Sequence, residues 1–213
     1  LGNHGLNSFF KASDERPVMM YVNDFDLNGY VEQIICTYKG DKAYPLAGKD
    51  EIVKQIPSLE AKYPKFADYI DQTIEDIFPQ QVIERSLLLN ARIMQNSVLI
   101  NTGQGSFKMV ALPAEAQLFP VWSAMVDDFN KDGKKDILIG GNQSKAKPQT
   151  GIYEAGFGLL LLGDTASTWK PLPPLASGFF SRGDIRDMKI VRTGNESVII
   201  VARNNENLHF YKY

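Results

Sequence analysis

The sequence predicts an all-β protein made of repeated four-stranded antiparallel units, interrupted once by helices. Three observations predict it. Short runs rich in Val, Ile, Leu, Phe and Tyr alternate with Gly, Asn and Asp turns along most of the chain. Two acidic loops share one spacing and lie 104 residues apart: Asp24, Asp26, Asn28, Gly29 and Glu32, then Asp128, Asn130, Asp132, Gly133 and Asp136. A turn leading into a strand that opens on an aromatic recurs from Asn101 to Phe107 and from Gly163 to Trp169, and more loosely from Asn3 to Phe9.

Residues 1–12, with a strand at 6–12, read as the outer strand of a preceding or closing unit. The first unit, 13–113, has strands at 17–23 and 31–38 around the first acidic loop, and at 97–101 and 106–112. Residues 48–92 break its β rhythm. A short helix at 50–56 ends at Pro57, and Ser58 caps the next turn. Phe66, Ile70, Ile74 and Ile77/Phe78 then recur at helical spacing until Pro79. Residues 81–90 read as another helix. This helical insertion is a cap over part of the β-surface or a recognition element for a partner. The second unit, 114–175, has strands at 121–127, 135–140, 157–163 and 168–172. The third, 176–213, has strands at 185–192, 196–202 and 207–212. Its loop keeps the turn and loses the ligands: Lys189, Val191, Thr193, Gly194 and Ser197 stand where the acidic residues would, so a hairpin turn on Thr193, Gly194 and Asn195 without an ion is expected. Radial repetition of such units is how a β-propeller avoids exposed edges, and three units make a partial propeller. A partial propeller implies contacts with further blades or with a second copy.

The acidic loops carry the chemistry. Oxygen-bearing side chains at positions 1, 3, 5 and 9, with Gly at 6, suit a hard cation in a tight turn. The first site comprises Asp24, Asp26, Asn28, the carbonyl of Tyr30, and Glu32. The second comprises Asp128, Asn130, Asp132, the carbonyl of Lys134, and Asp136. Each gathers three negative charges into a small volume, so two Ca2+ ions are predicted. Asn28-Gly29 and Asp132-Gly133 are also hairpin-turn dipeptides that need no metal. An EF-hand would need helices around the loop and Glu at position 12, where Ile35 and Ile139 stand. Magnesium suits a five- or six-oxygen protein loop less well. Zinc is disfavoured because His4 and His209 have no Cys or His beside them in sequence.

Other classes are excluded or weakened. Lys and Arg number 23 against 25 Asp and Glu, with no basic stripe, so nucleic acid is not an expected partner. The longest apolar run, GFGLLLLG, is too short to span a bilayer. The single cysteine, Cys36, lies in a strand-like run and reads as a buried small hydrophobe. No G-x-S-x-G, H-E-x-x-H or P-loop is present. Glu84/Arg85, Glu154 and Asp184/Arg186/Asp187 read as solvated or turn positions, so no enzyme is expected. Residues 142–156 are a recognition loop or a long connection. Trp122, Trp169, Tyr153, Phe157 and Phe179 near predicted strand ends suggest glycan binding, although aromatics in a β-protein mostly fill the core.

The D-x-[DN]-x-[DN]-G-x-x-[DE] loop between two strands resembles the FG-GAP/VCBS repeat of integrin alpha-chain β-propellers and bacterial secreted proteins. The segments NTGQGSF, PVWSAMVDDFNKDGKKDILIGGN and VARNNENLHFYKY are similar to the C-terminal part of Bacteroidetes VCBS-repeat proteins related to the ASPIC/UnbV group. The resemblance implies a calcium-stabilised extracellular, periplasmic or outer-membrane-surface propeller. Its expected role is structural, with recognition of a protein or glycan. The alternative is a non-catalytic or partial domain of a larger surface polysaccharide-processing assembly.

Overall fold

The computed structural model describes residues 1–165, 168–194 and 196–213. The chain forms two compact units. One is Phe10–Ile93; the other joins Leu1–Phe9 to Met94–Tyr213.

The Phe10–Ile93 unit holds a four-stranded antiparallel sheet of β1 (Val18–Asn23), β2 (Glu32–Lys39), β3 (Lys42–Pro45) and β4 (Leu87–Ala91), in the order β3-β2-β1-β4. Period-two alternation puts Met19 and Tyr21 of β1 on the same face as their partners Cys36 and Ile34 of β2. Five short helices cover that face: α1 (Lys49–Gln55), α2 (Leu59–Lys62), α3 (Phe66–Tyr69), α4 (Ile74–Ile77) and α5 (Gln80–Arg85). They bury Ile52, Leu59, Ile74 and Ile77 against the sheet.

The helix expected through residues 66–78 is two single turns. Ile70 leaves helical geometry with ψ 136°, and Asp71 follows at φ +61°. Thr73 then starts α4 with a capping box. Its hydroxyl accepts from the Asp76 N–H at 3.3 Å, and the Asp76 carboxylate accepts from the Thr73 N–H at 2.9 Å. The expected helix over 81–90 stops at Arg85, and the Leu87–Leu89 run pairs with β1 as an edge strand.

Cys36 is fully buried, and burial pushes its thiol up to about 12. Buried and held in its thiol form, the side chain offers an alkylating reagent little thiolate while the protein is folded. Alkylation by iodoacetamide is expected to track unfolding. Rapid labelling of the native protein would contradict this.

The other unit carries a hairpin of β5 (Ser97–Gly103) and β6 (Ser106–Ala111). It also carries a four-stranded antiparallel sheet of β7 (Val121–Asp127), β8 (Asp136–Gly141), β9 (Leu159–Gly163) and β10 (Trp169–Leu172), in the order β10-β9-β8-β7. A one-turn helix, α6 (Pro174–Ser177), precedes a three-stranded sheet of β11 (Ile185–Thr193), β12 (Glu196–Arg203) and β13 (His209–Lys212). All of β8 is buried. Ile137 and Ile139 join Val121, Leu159 and Leu161 on one face. Leu138 joins Leu160, Ile185, Met188 and Val201 on the other. Gly141 is needed for this closeness, because a Cβ there would lie 1.6 Å from the Pro120 carbonyl oxygen.

The segment Leu1–Phe9 is tied to this unit. Asn96 is fully buried and accepts from the Asn3 N–H at 2.6 Å, while its amide donates to the carbonyls of Ala116 and Phe119. Residues 6–12 form no strand, because the Leu6 and Asn7 N–H groups both turn onto the Gln117 carbonyl.

These findings correct the all-β partial propeller. Six helices lie among the described residues, and the strands fall into open sheets of four, four, three and two rather than successive blades of one ring. The expected first blade would place 97–101 and 106–112 beside β1 and β2. Instead β1 and β2 pair with β3 and β4, and a helical layer covers their apolar face. The physical reason is local. An acidic loop of this spacing specifies a β-hairpin, and any antiparallel sheet accepts one.

Candidate metal centre

The first acidic loop joins β1 to β2, and the second joins β7 to β8. Their backbones match step for step. Leu27 and Lys131 take φ of +59° and +61°, and Gly29 and Gly133 take +90° and +85°. Such geometry favours Gly at the sixth position. Asp24 accepts from the N–H groups of Asn28 at 3.0 Å and Gly29 at 2.8 Å. Asp128 accepts from Asp132 at 3.0 Å and Gly133 at 2.8 Å. Asn28 accepts from the Tyr30 N–H at 2.8 Å, and Asp132 from the Lys134 N–H at 2.9 Å. Glu32 and Asp136 each accept from the N–H that follows the first aspartate, Phe25 or Phe129, at 3.0 Å.

That aromatic is a part of the site that the acidic pattern alone does not reveal. Phe25 is buried and lies 4.5 Å from the Phe78 ring, centroid to centroid. Phe129 lies 5.0 Å from the Tyr213 ring. Each loop is thereby anchored in the core beneath it. Its signal was present: Phe occupies the second position in both loops.

The loops differ in charge compensation. In the first, one oxygen each of Asp24, Asp26 and Glu32 lies within 4.8 Å of the others. Glu32 is buried and the two aspartates half-buried. No lysine or arginine pairs with them among the described residues. Asp26 Oδ1 is buried and has no hydrogen-bond partner. A buried carboxylate oxygen without a donor is costly.

In the second loop, Asn130 stands at the Asp26 position and satisfies itself. Its amide donates to Asp132 at 3.1 Å, and its oxygen accepts from the Asp132 N–H at 3.1 Å. Lys134 lies 3.8 Å from Asp132. The Lys134 N–H first, and then the Asn130 amide, hold the Asp132 carboxyl below the usual carboxylate range. Asp136 is fully buried and also accepts from the Gly163 N–H at 2.9 Å. Tyr30 is largely exposed and Lys134 half-buried.

Beside the second loop, Asp127 accepts from the Tyr213 hydroxyl at 2.7 Å and pairs with Arg192. The Tyr213 hydrogen bond is the main reason its carboxyl sits below its ordinary range. These partners are 65 and 86 residues away in sequence, so no local spacing signals them.

The third loop closes the β11–β12 hairpin, where Thr193 pairs with Glu196 and Lys189 lies 3.6 Å from Asp187. Asn195, part of the expected turn, lies outside the described residues. Asp184 is a structural tie, accepting from the Ser144 N–H and hydroxyl and from Arg186.

No protein-family model, curated protein or solved structure matches the chain. With the helical layer and the open sheets, this overturns the resemblance to FG-GAP/VCBS, integrin alpha and ASPIC/UnbV propellers. The expectations built on it fall too: the calcium propeller module and the partial polysaccharide-processing domain. What stands is that Asp24, Asp26 and Glu32 form a cluster able to coordinate a metal ion. Among the described residues, no helix is long and apolar enough to cross a membrane.

Proposed function

We propose that the β1–β2 loop binds a divalent cation, calcium in preference to magnesium, and that the ion stiffens the hairpin. The observation that carries this is Asp26 Oδ1, buried without a donor inside a cluster of three carboxylates. A cation supplies the missing partner and reverses the repulsion. The ligand atoms spread over no more than 4.8 Å, twice a calcium–oxygen distance of about 2.4 Å. Magnesium, with bonds of about 2.1 Å, would draw them closer. The β7–β8 loop is a second and weaker site, because Asn130 and Lys134 already offset its charge. The role is structural rather than catalytic. Loops of this kind bind with dissociation constants of about 10^-4 to 10^-3 M, filled where calcium is millimolar, as outside a cell.

Calcium titration by calorimetry, paired with melting in chelator and in calcium, tests this. At about 10 mM calcium, about a hundredfold excess over a dissociation constant of about 10^-4 M, an ion stabilises its fold by about 2.7 kcal/mol. For a chain of this size that raises the melting temperature by roughly 5–10 °C. Identical melting curves in millimolar calcium and in chelator would sink the proposal.

A further inference from the structure

At the start of β7, the end away from the acidic loop, residues including Gly2, Asn3, His4, Val121, Trp122 and Gln143 line a cavity of about 390 Å3. That lies in the range of small-ligand pockets. Trp122 is 53% exposed, high for so large an apolar side chain. Yet it is held firmly. Its indole N–H donates to the Asn142 carbonyl at 2.9 Å. The Arg186 guanidinium sits 4.7 Å from the ring centroid and covers one face. Arg186 is fixed by buried Asp184 at 3.0 Å, and Asp184 by the Ser144 N–H and hydroxyl. A ring fixed before binding loses little freedom when a ligand arrives. With its N–H occupied and one face covered, the indole offers apolar ring surface.

Gln143 supplies the polar complement. Its backbone pairs with Tyr153 in both directions, at 2.8 and 3.2 Å, which anchors the residue. Its side-chain amide has no hydrogen-bond partner among the described residues, leaving a donor and an acceptor beside the ring. The lining contains no carboxylate, lysine or arginine. A ligand matching it is neutral, with an apolar C–H face and hydroxyls at its rim. A nucleotide would bring phosphate charge to a ring whose stacked cation, Arg186, is already paired with Asp184, and a wholly apolar ligand would leave the amide unpaired. We propose that this cavity binds a pyranose ring of a neutral glycan, stacked on Trp122 and hydrogen-bonded by Gln143. Of the aromatics noted in the sequence, Tyr153 and Phe179 are buried, and Phe157 stacks on Phe180 at 4.9 Å.

The test uses the whole chain in chelator, so that failure of the cation proposal does not affect it. Trp169→Phe leaves Trp122 as the sole tryptophan. Its fluorescence and its indole N–H resonance are followed during titration with neutral glucose, galactose, mannose, xylose and N-acetylhexosamine saccharides and their short oligomers. A saturable change with at least one of them is expected. Trp122→Ala and Gln143→Ala are each expected to weaken it about two- to tenfold, the scale of one ring contact or one hydrogen bond. Gln143→Ala is expected to melt like the parent, so it decides the matter if Trp122→Ala misfolds. No response to any saccharide of the set would overturn the proposal. So would undiminished binding by Gln143→Ala.

Discussion

Asp26→Asn is expected to abolish most of the calcium-induced stabilisation while leaving the calcium-free protein as stable as the parent, or slightly more so. Losing one carboxylate of the three costs the ion an attraction of a few kcal/mol at the effective dielectric of a protein surface, about a hundredfold in affinity. Calcium that would stabilise the parent by about 2.7 kcal/mol then contributes less than about 0.5 kcal/mol. Without calcium the substitution removes a repulsion and supplies an amide that can donate to Asp24 or Glu32. The second loop already contains this arrangement: Asn130 donates to Asp132 at 3.1 Å. The measurement is melting of parent and variant in chelator and in calcium. An undiminished calcium shift would show that Asp26 Oδ1 is not reserved for an ion. Destabilisation in chelator would show that Asp26 serves the apo fold.

Both loops were legible because their information lies within nine residues and occurs twice. The turn geometry, the Gly at the sixth position and the carboxylates at the first and ninth follow from spacing. The rank of the sites did not. Asp26 and Asn130 look interchangeable as oxygen ligands, and only the hydrogen bonds show one oxygen without a donor and one amide satisfied by Asp132. The strands around the loops were legible from short apolar and β-branched runs such as Val18–Val22 between turn residues, although only the structure shows which of them, Met19 and Tyr21, face the core. The architecture was not. Repeated hairpins suggested a ring, but a hairpin does not state what covers its sheet. The helical insertion was legible as a cap on a β-surface, one of its two readings, and Ile52, Ile74 and Ile77 form that cap. That its sheet is completed by β3 and β4 rather than by 97–112 was not, because strand pairing leaves no trace in local spacing. The Leu87–Leu89 run defeated periodicity for a related reason: an apolar run this short fits a helix or a strand, and pairing with β1 decided it.

Asp136→Ala is expected to behave in the opposite way to Asp26→Asn, with a large loss of stability that calcium does not restore. Asp136 is fully buried and its oxygens already have donors: Phe129 at 3.0 Å, Asn130 at 3.4 Å and, across to β9, Gly163 at 2.9 Å. Removing the carboxylate strands the buried Gly163 N–H and the part-buried Phe129 N–H, each costing about 1–3 kcal/mol, so the loss is about 2 kcal/mol or more. Asp136→Asn is a poorer rescue than its shape suggests, because an amide has one acceptor oxygen for donors that now reach two. Chemical denaturation of the variants, monitored at the two tryptophans, both in the Met94–Tyr213 part of the chain, reads the effect. A variant within about 1 kcal/mol of the parent would contradict it. The ninth position thus serves two ends in two copies of one loop. Glu32 reaches into a three-carboxylate cluster with an oxygen left without a donor, and Asp136 pins its loop to the neighbouring strand. The same spacing therefore builds one hairpin that a cation would complete and another in which the protein's own hydrogen bonds already supply most of what the ion would, leaving the weaker cation site.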